Sequence, residues 1–343
     1  MNILGIETSC DETAAAVVRD GQEVLTNVVY TQIPLHQPYG GVVPELASRA
    51  HVEKIREVVG AALEGQKIDA VAVTYGPGLS PALLVGLNAA KGLSKALGVP
   101  LIAINHIEAH LHTPFLFDKG EPEVPAPDMD AEYLGLAISG GHTNWIRMRR
   151  YGEYETIGQT LDDAAGEAFD KASKLLGLGY PGGPKLDKIA KEYGTKDLIS
   201  FPKGRPRDGV AALSGLPAEL CVSFSGLKTA LLRYVQQHPD LYVPQTVASY
   251  QEAIVQAVAD RTRTALKRGN YRALIMGGGV SLNSRLRAVI GDLCARAGVE
   301  LKMAKPKYCG DNGAMIAGLA YYRRNITGEA AMTIDATPAL EIG

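Results

Sequence analysis

A strand–loop–strand pattern that occurs twice restricts this chain more than any other feature of its sequence. Residues 3–7 read as an apolar strand, 8–12 as a polar loop, 13–19 as a second strand, Asp20-Gly21 as a turn and 22–29 as a third strand. A gapless shift of 130 residues lays Leu4-Gly5 on Leu134-Gly135, Ser9 on Ser139 and Thr13 on Thr143, and sets Ser9-Cys10-Asp11-Glu12 over Ser139-Gly140-Gly141-His142. The second hairpin then turns near Tyr151-Gly152. Identical loop placement in both copies points to duplication of one folding unit.

Each copy continues in the same way. Residues 70–74 form an apolar strand that enters Gly76-Pro77-Gly78 and an Ala- and Leu-rich helix, and residues 273–276 enter Gly277-Gly278-Gly279 and a helix from Asn283. Alternating strands and helices give an α/β fold. Between the copies, residues 118–130 carry Pro122, Pro125 and Pro127 among acidic residues, the composition of an exposed linker. The expected domains are 1–130 and 131–311, and two such domains facing each other would enclose a central cleft onto which both hairpin loops and both glycine turns open.

At 343 residues and 46% hydrophobic content the chain has enough apolar material for a proper core in each half. A net charge of −2 argues neither for nor against nucleic acid, so any polyanion must be held by local patches. Cys10, Cys221, Cys294 and Cys309 lack paired spacing, which fits free thiols in a reducing, cytoplasmic setting. The first residues meet Glu7, Asp11 and Glu12 too soon for a signal peptide, and no run approaches the roughly 18 apolar residues of a membrane span. No membrane association is expected.

His106-Ile107-Glu108-Ala109-His110 follows the apolar strand 101–104 and places two imidazoles four residues apart. Asn105 can cap a helix here, and positions i and i+4 share a face, so both rings can reach one cation. Zinc proteases use a similar spacing, but their catalytic Glu directly follows the first His, where this chain has Ile107. Glu108 points about 200° around a helix from His106 and cannot serve a metal there as a base. A third ligand must come from elsewhere. Asp311, in Cys309-Gly310-Asp311-Asn312-Gly313, reads on its own as a helix cap or turn residue.

Several longer stretches carry a resemblance. They are residues 5–13 (Gly-Ile-Glu-Thr-Ser-Cys-Asp-Glu-Thr), 40–51, 106–110, 139–143 (Ser-Gly-Gly-His-Thr), 162–171, 180–184 (Tyr-Pro-Gly-Gly-Pro), 224–230 and 308–312. In this order, and over almost the whole chain, the sequence resembles the tRNA threonylcarbamoyladenosine transferases, of the bacterial type. That resemblance implies two related domains of the actin, sugar-kinase and Hsp70-like (ASKHA, RNase H-like) fold, with the C-terminal helix, about residues 312–343, packing back on the first domain. It implies transfer of a threonylcarbamoyl group from threonylcarbamoyl-AMP to the exocyclic amine of the adenosine 3′ of the anticodon, in tRNAs reading codons that begin with A, releasing AMP. It supplies Asp311 as third ligand beside His106 and His110, for one divalent metal per chain, Fe(II) ahead of Zn(II).

The amine is a weak nucleophile, so the reaction needs a base, and Glu12 or Asp11 on the first hairpin loop are the candidates. The matched positions for the adenylate are Ile138, Ser139, Gly140, Gly141, His142, Asp170, Gly183, Asp187 and Asn283. Glycines let backbone N–H groups approach phosphate or ribose, the two aspartates can accept ribose hydroxyls, and an Asn amide can read an adenine edge. Arg147, Arg149 and Arg150, then Lys203, Arg205 and Arg207, then Lys302, Lys305 and Lys307 are candidate phosphate contacts for tRNA, although clusters of this kind are more often solvated faces. Lys171, Lys174 and Lys185 are candidates for the cleft. The resemblance further implies a TsaB-like homologue as heterodimer partner, a TsaE-like ATPase, and an upstream TsaC-type synthase that supplies the donor. Ser80-Pro81, Leu282 and Gly310 depart from the usual pattern, and Gly310, beside Asp311, is expected to loosen that ligand's support. The rival readings are an ATPase or kinase of the same fold, a metalloprotease-like protein and a silent scaffold; paired histidines with Asp311 disfavour the first and last, the missing adjacent Glu the second.

Overall fold

The computed structural model describes residues 1–206, 209, 214–324 and 326–342. It divides into two compact units, Met1–Met129 with Ala304–Gly343, and Asp130–Met303. In the first, β1 (Asn2–Glu7), β2 (Glu12–Arg19), β3 (Glu23–Thr31), β4 (Ala70–Gly76), β5 (Leu101–Asn105) and β6 (Phe117–Asp118) form one sheet in the order β5-β4-β1-β2-β3-β6. In the second, β7 (Tyr133–Ile138), β8 (Thr143–Arg150), β9 (Glu153–Gln159), β10 (Ala273–Gly277) and β11 (Glu300–Met303) take the order β11-β10-β7-β8-β9.

The duplication read from sequence holds to the residue in the strand register. Leu4 pairs with Val17 in β2, and Leu134 pairs with Arg147 in β8, the same shift of 130 on both strands. Leu4 also faces Val71 in parallel β4, as Leu134 faces Leu274 in β10. Val71 then faces Leu101, and Leu274 faces Leu301. Ile3, Leu4 and Ile6 are fully buried, as strands covered on both faces must be. The helix after each glycine turn, Ser80–Leu97 and Ser284–Ala297, ends on a glycine with positive φ, Gly98 (68°) and Gly298 (66°). There the left-handed cap turns the chain into the last strand.

Helix Pro44–Leu63 follows β3 and was not among the expected elements; Pro44 opens its first turn, where its missing N–H does no harm. Helix Gly313–Tyr322 belongs to the first unit, and its residues 313–320 are all buried. It lies on β1 and β2 backbone to backbone: a Cβ on Gly5 would stand 2.3 Å from Gly313 O, and one on Gly313 2.4 Å from Ala16 N. This contact fixes where Asp311, two residues ahead of the helix, must lie. None of the four cysteines is in a disulfide. Among the described residues no helix is long and apolar enough to cross a membrane.

Candidate functional site

β5 ends at Asn105, whose side-chain oxygen accepts from Ile107 N (2.9 Å) and Glu108 N (3.2 Å) and so starts helix His106–His112, the cap expected from sequence. One turn apart, the His106 and His110 rings meet edge to face with centroids 4.6 Å apart. The Asp311 carboxylate reaches both: Oδ1 is 3.1 Å from His110 Nε2 and 3.6 Å from His106 Nε2. The cap of the following helix falls to Asn312, whose Oδ1 accepts from Met315 N at 3.0 Å, so the capping role first read for Asp311 is taken by its neighbour. Ligand atoms of the three residues all lie within 4.8 Å of one another.

This trio fits a divalent cation. His110 is 1% exposed, and among the described residues neither ring nitrogen has a hydrogen-bond partner; the close approach of Nε2 to Asp311 lacks hydrogen-bonding geometry. An unsatisfied buried polar atom costs about 1–3 kcal/mol, and a cation between Nε2 and the carboxylate removes that penalty at Nε2. Two imidazoles and one carboxylate are a donor set for Fe(II) or Zn(II).

Behind His106 stands a residue to which sequence reading gave no role. Glu7, fully buried at the end of β1, brings Oε2 to 3.1 Å from His106 Nδ1. The same oxygen accepts from Thr74 Oγ1 (2.5 Å), and Oε1 accepts from Ser9 N (2.5 Å). Burial alone would raise the Glu7 pKa, but the His106 charge and hydrogen bond hold it below the ordinary carboxylate value. Burial likewise disfavours a charged His106, yet Glu7 and Asp311 outweigh it and lift the imidazole to about 9. A proton on Nδ1 facing Glu7 leaves Nε2 for the cation, the usual arrangement behind a metal-bound histidine. The sequence signal was a lone carboxylate ending an otherwise apolar strand.

Glu108 turns away, as its position on the helix requires. Its carboxylate meets Arg323 through Nε (2.9 Å) and Nη2 (3.3 Å), so it supplies no base to the trio, and the proteolytic reading loses its general base. On the first hairpin loop, Asp11 is buried and Glu12 accepts from Thr31 Oγ1 at 3.2 Å. Burial, then the charges of Asp11 and Asp311, push the Glu12 pKa well up. That direction suits a carboxylate meant to take a proton near neutral pH. Gly310 has no atom within 4 Å of a would-be Cβ and an ordinary φ of −77°, so glycine is not required there.

In the second unit the hairpin loop closes on itself. Ser139 N donates to His142 O (2.8 Å) and His142 N to Ser139 Oγ (3.2 Å), leaving Gly140 and Gly141 exposed. Helix Ala165–Leu175 abuts this loop at Gly166, where a Cβ would stand 2.7 Å from Gly140 Cα. Ile138 sits under Gly278, whose φ of 98° and 2.4 Å would-be contact with Ile138 O require glycine. Further along, Asp170 accepts from Gly182 N at 2.6 Å, next to half-buried Gly183 with open space above it. Asp187 accepts from Ser284 N (3.1 Å) and Ser284 Oγ (2.9 Å). Asn283 caps helix Ser284–Ala297 through Leu286 N (2.9 Å) and donates to Gln251 Oε1 (2.8 Å). Hydrogen bonds thus link Asp187 to the start of the helix that Asn283 caps, and Asp170 to the turn carrying Gly183.

Most of the basic clusters are internally neutralised. Arg147 pairs with Glu132, Arg149 with Glu155 and Arg150 with Asp130; Lys302 pairs with Glu300, Lys305 with Glu121 and Lys307 with Asp118. Lys203 and Arg205 are exposed, and Arg207 lies outside the described residues. Lys171 is drawn to Asp163 and Glu167, and Lys185 donates to Leu178 O.

Residues 23–318 match the family model described as TsaD, tRNA N6-adenosine threonylcarbamoyltransferase. Curated relatives of that name include one from Caldicellulosiruptor saccharolyticus, 43% identical over 100% of this chain and 98% of its own length, and one from Clostridium perfringens, 44% identical over 99% and 98%. Among solved structures, HypF of T. kodakarensis aligns with a TM-score of 0.59 at 14% identity, over 94% of this chain and 47% of that one. The activator of 2-hydroxyisocaproyl-CoA dehydratase from Clostridium difficile, with bound ADPNP, aligns with a TM-score of 0.51 at 14% identity, over 94% and 95%. These two likenesses place the fold in the ASKHA class.

Proposed function

The chain belongs to the tRNA N6-adenosine threonylcarbamoyltransferase family, and we propose that it carries out this transfer as a metal-dependent enzyme through His106, His110 and Asp311. As a member it places a threonylcarbamoyl group on a tRNA adenosine, and tRNA is its substrate. The observation that carries metal dependence is the buried, unpartnered His110 imidazole facing Asp311, with Glu7 orienting His106 behind it. Fe(II) is the first choice for this donor set and Zn(II) the second.

The donor is threonylcarbamoyl-AMP, the acceptor the adenosine 3′ of the anticodon in tRNAs reading codons that begin with A, and the leaving group AMP. The second unit holds the adenylate: the backbone N–H groups of Gly140 and Gly141 face the phosphate, with Ser139 and His142, which close the loop on each other, beside them. Asp170 and Gly183 flank the ribose. Asp187 and Asn283, engaged at the start of helix Ser284–Ala297, set the wall for ribose and adenine beside Ile138. Glu12, raised by burial and by Asp11, takes the proton that the adenosine amine loses as the new C–N bond forms; Asp11 keeps it raised. A bound divalent ion supplies Lewis acidity and an anchor for a donor oxygen. A TsaB-like homologue, a TsaE-like ATPase and a TsaC-type synthase complete the reading, with the work done in the cytoplasm.

The test incubates the chain and its helper proteins with threonylcarbamoyl-AMP and unmodified tRNA, digests the RNA and reads threonylcarbamoyladenosine by mass spectrometry. Product that disappears in His106→Ala, with the fold retained, supports metal dependence. Equal product from His106→Ala would overturn it.

A further inference from the structure

The last residues of the chain touch the metal-binding trio's supports at two separate points. Thr337 N donates to Tyr75 O (2.8 Å) and Gly78 N donates to Pro338 O (3.1 Å), binding residues 337–338 to the end of β4 and the glycine turn after it. The fit is close enough that a Cβ on Gly76 would stand 2.1 Å from Thr337 O and 2.8 Å from Leu340 Cβ. From that turn the path continues inward. Leu79 N donates to Ser9 O (2.8 Å), and Ser9 Oγ lies 3.2 Å from His106 Nδ1.

The second point is Asn105. Its Nδ2 donates to Glu341 O at 3.0 Å, while its Oδ1 serves Ile107 and Glu108 at the start of the His106–His112 helix. Asn105 is 7% exposed, so each end of the amide needs its partner inside the protein. The tail carbonyl therefore sets which way the amide faces, and that orientation sets the helix that presents both imidazoles.

We propose that residues 337–342 form a strap that positions the metal ligands, with Asn105 as the positioning residue on the helix side and Gly78, Leu79 and Ser9 on the other. The inference rests on the reading that His106, His110 and Asp311 bind a metal. Outer partners of metal ligands typically change affinity about 10–100-fold, and the strap acts one bond further out, so a loss on the order of tenfold is expected.

Cobalt(II) serves as the probe, its affinity taken from competition titration and its geometry from the visible absorption band. Three full-fold proteins are compared: the intact chain, the chain ending at Ala336, and Asn105→Ser, which keeps a neutral capping oxygen but loses the donor to Glu341 O. The proposal expects both variants to bind about tenfold more weakly with a shifted band. Variants that lose thermal stability but match the intact chain in affinity and band would reduce the strap to a stabilising tail and overturn it. Should the shortened chain fail to fold, Asn105→Ser alone decides by the same reading. An intact chain that binds no cobalt, iron or zinc instead overturns the metal reading beneath it.

Discussion

The two hairpin loops sit at matching positions of two sheets whose strands keep the same register, yet they carry opposite chemistry. The first, Ser9-Cys10-Asp11-Glu12, is packed into its unit: Ser9 N is held by Glu7, Leu79 N by Ser9 O, and Thr8 Oγ1 donates to Ala82 O at 2.9 Å. It brings carboxylates to a place where two imidazoles and Asp311 already converge. The second, Ser139-Gly140-Gly141-His142, has no acid, and neither of its glycines has any atom within 4 Å of a would-be Cβ. Bare backbone N–H groups suit an anion, and buried carboxylates suit a cation. Four residues on a shared scaffold are enough to separate the two chemistries.

Glycine substitution separates them most sharply. Gly5→Ala puts a methyl into the backbone of helix Gly313–Tyr322, and we expect a loss of roughly 3 kcal/mol or more in urea unfolding. Gly141→Ala should stay within about 0.5 kcal/mol of the parent and show itself only as weaker binding of an adenylate. Equal stability losses would break the comparison.

Next in size, Glu7→Gln keeps the shape of the side chain but removes the charge opposite His106 Nδ1. Metal affinity should fall about 10–100-fold, measured with cobalt, while nucleotide binding to the second unit holds. An unchanged metal affinity would make Glu7 a filler rather than a support.

The charged Glu7–His106 pair also has a pH signature. His106 is raised from 6.5 to about 9, so the stability it contributes without metal is complete below pH 6.5 and disappears as pH rises through about 9. Metal affinity runs the other way, because the ion must displace a proton: it should strengthen by about tenfold per pH unit up to about pH 9. Thermal melts of metal-free protein beside cobalt titrations from pH 6 to 9 test both slopes, and parallel slopes would contradict the pairing.

The smallest effect tests openness rather than location. Gly310, in the first unit, has the open surroundings of the second loop's glycines. Gly310→Ala should therefore stabilise, by about 0.5 kcal/mol, through the unfolded chain. A loss of stability in calorimetry would show that proximity to Asp311 matters more than space.

The sheets were legible in the sequence because buried strands leave continuous apolar runs and the loops between them leave polar gaps at fixed spacing. Asn105 as a cap and His106 with His110 on one face followed from local geometry alone. Asp311 did not, since nothing near it in sequence signals a partner 201 positions away, and only resemblance to a family supplied it. The tail carbonyl on Asn105 was invisible for the same reason, and Glu7 showed only as a lone carboxylate ending an apolar strand: both act through contacts between distant segments. The acids that pair with the lysine and arginine clusters, such as Glu132 for Arg147 and Glu121 for Lys305, were equally hidden, because they lie elsewhere in the chain.

The first unit is discontinuous, and that sets a clock on its birth. β1 and β2 leave the ribosome early, but Gly313 and Ala317, which cover Gly5, and Asp311, which completes the trio, come only after residues 130–303 have been made. At about 5–20 residues per second, the bare apolar face of the first sheet waits roughly 9–35 s for its cover. Completion of the trio is therefore deferred until residues 130–303 have been made, and a nascent chain stalled within the second unit would expose His106 and His110 without Asp311.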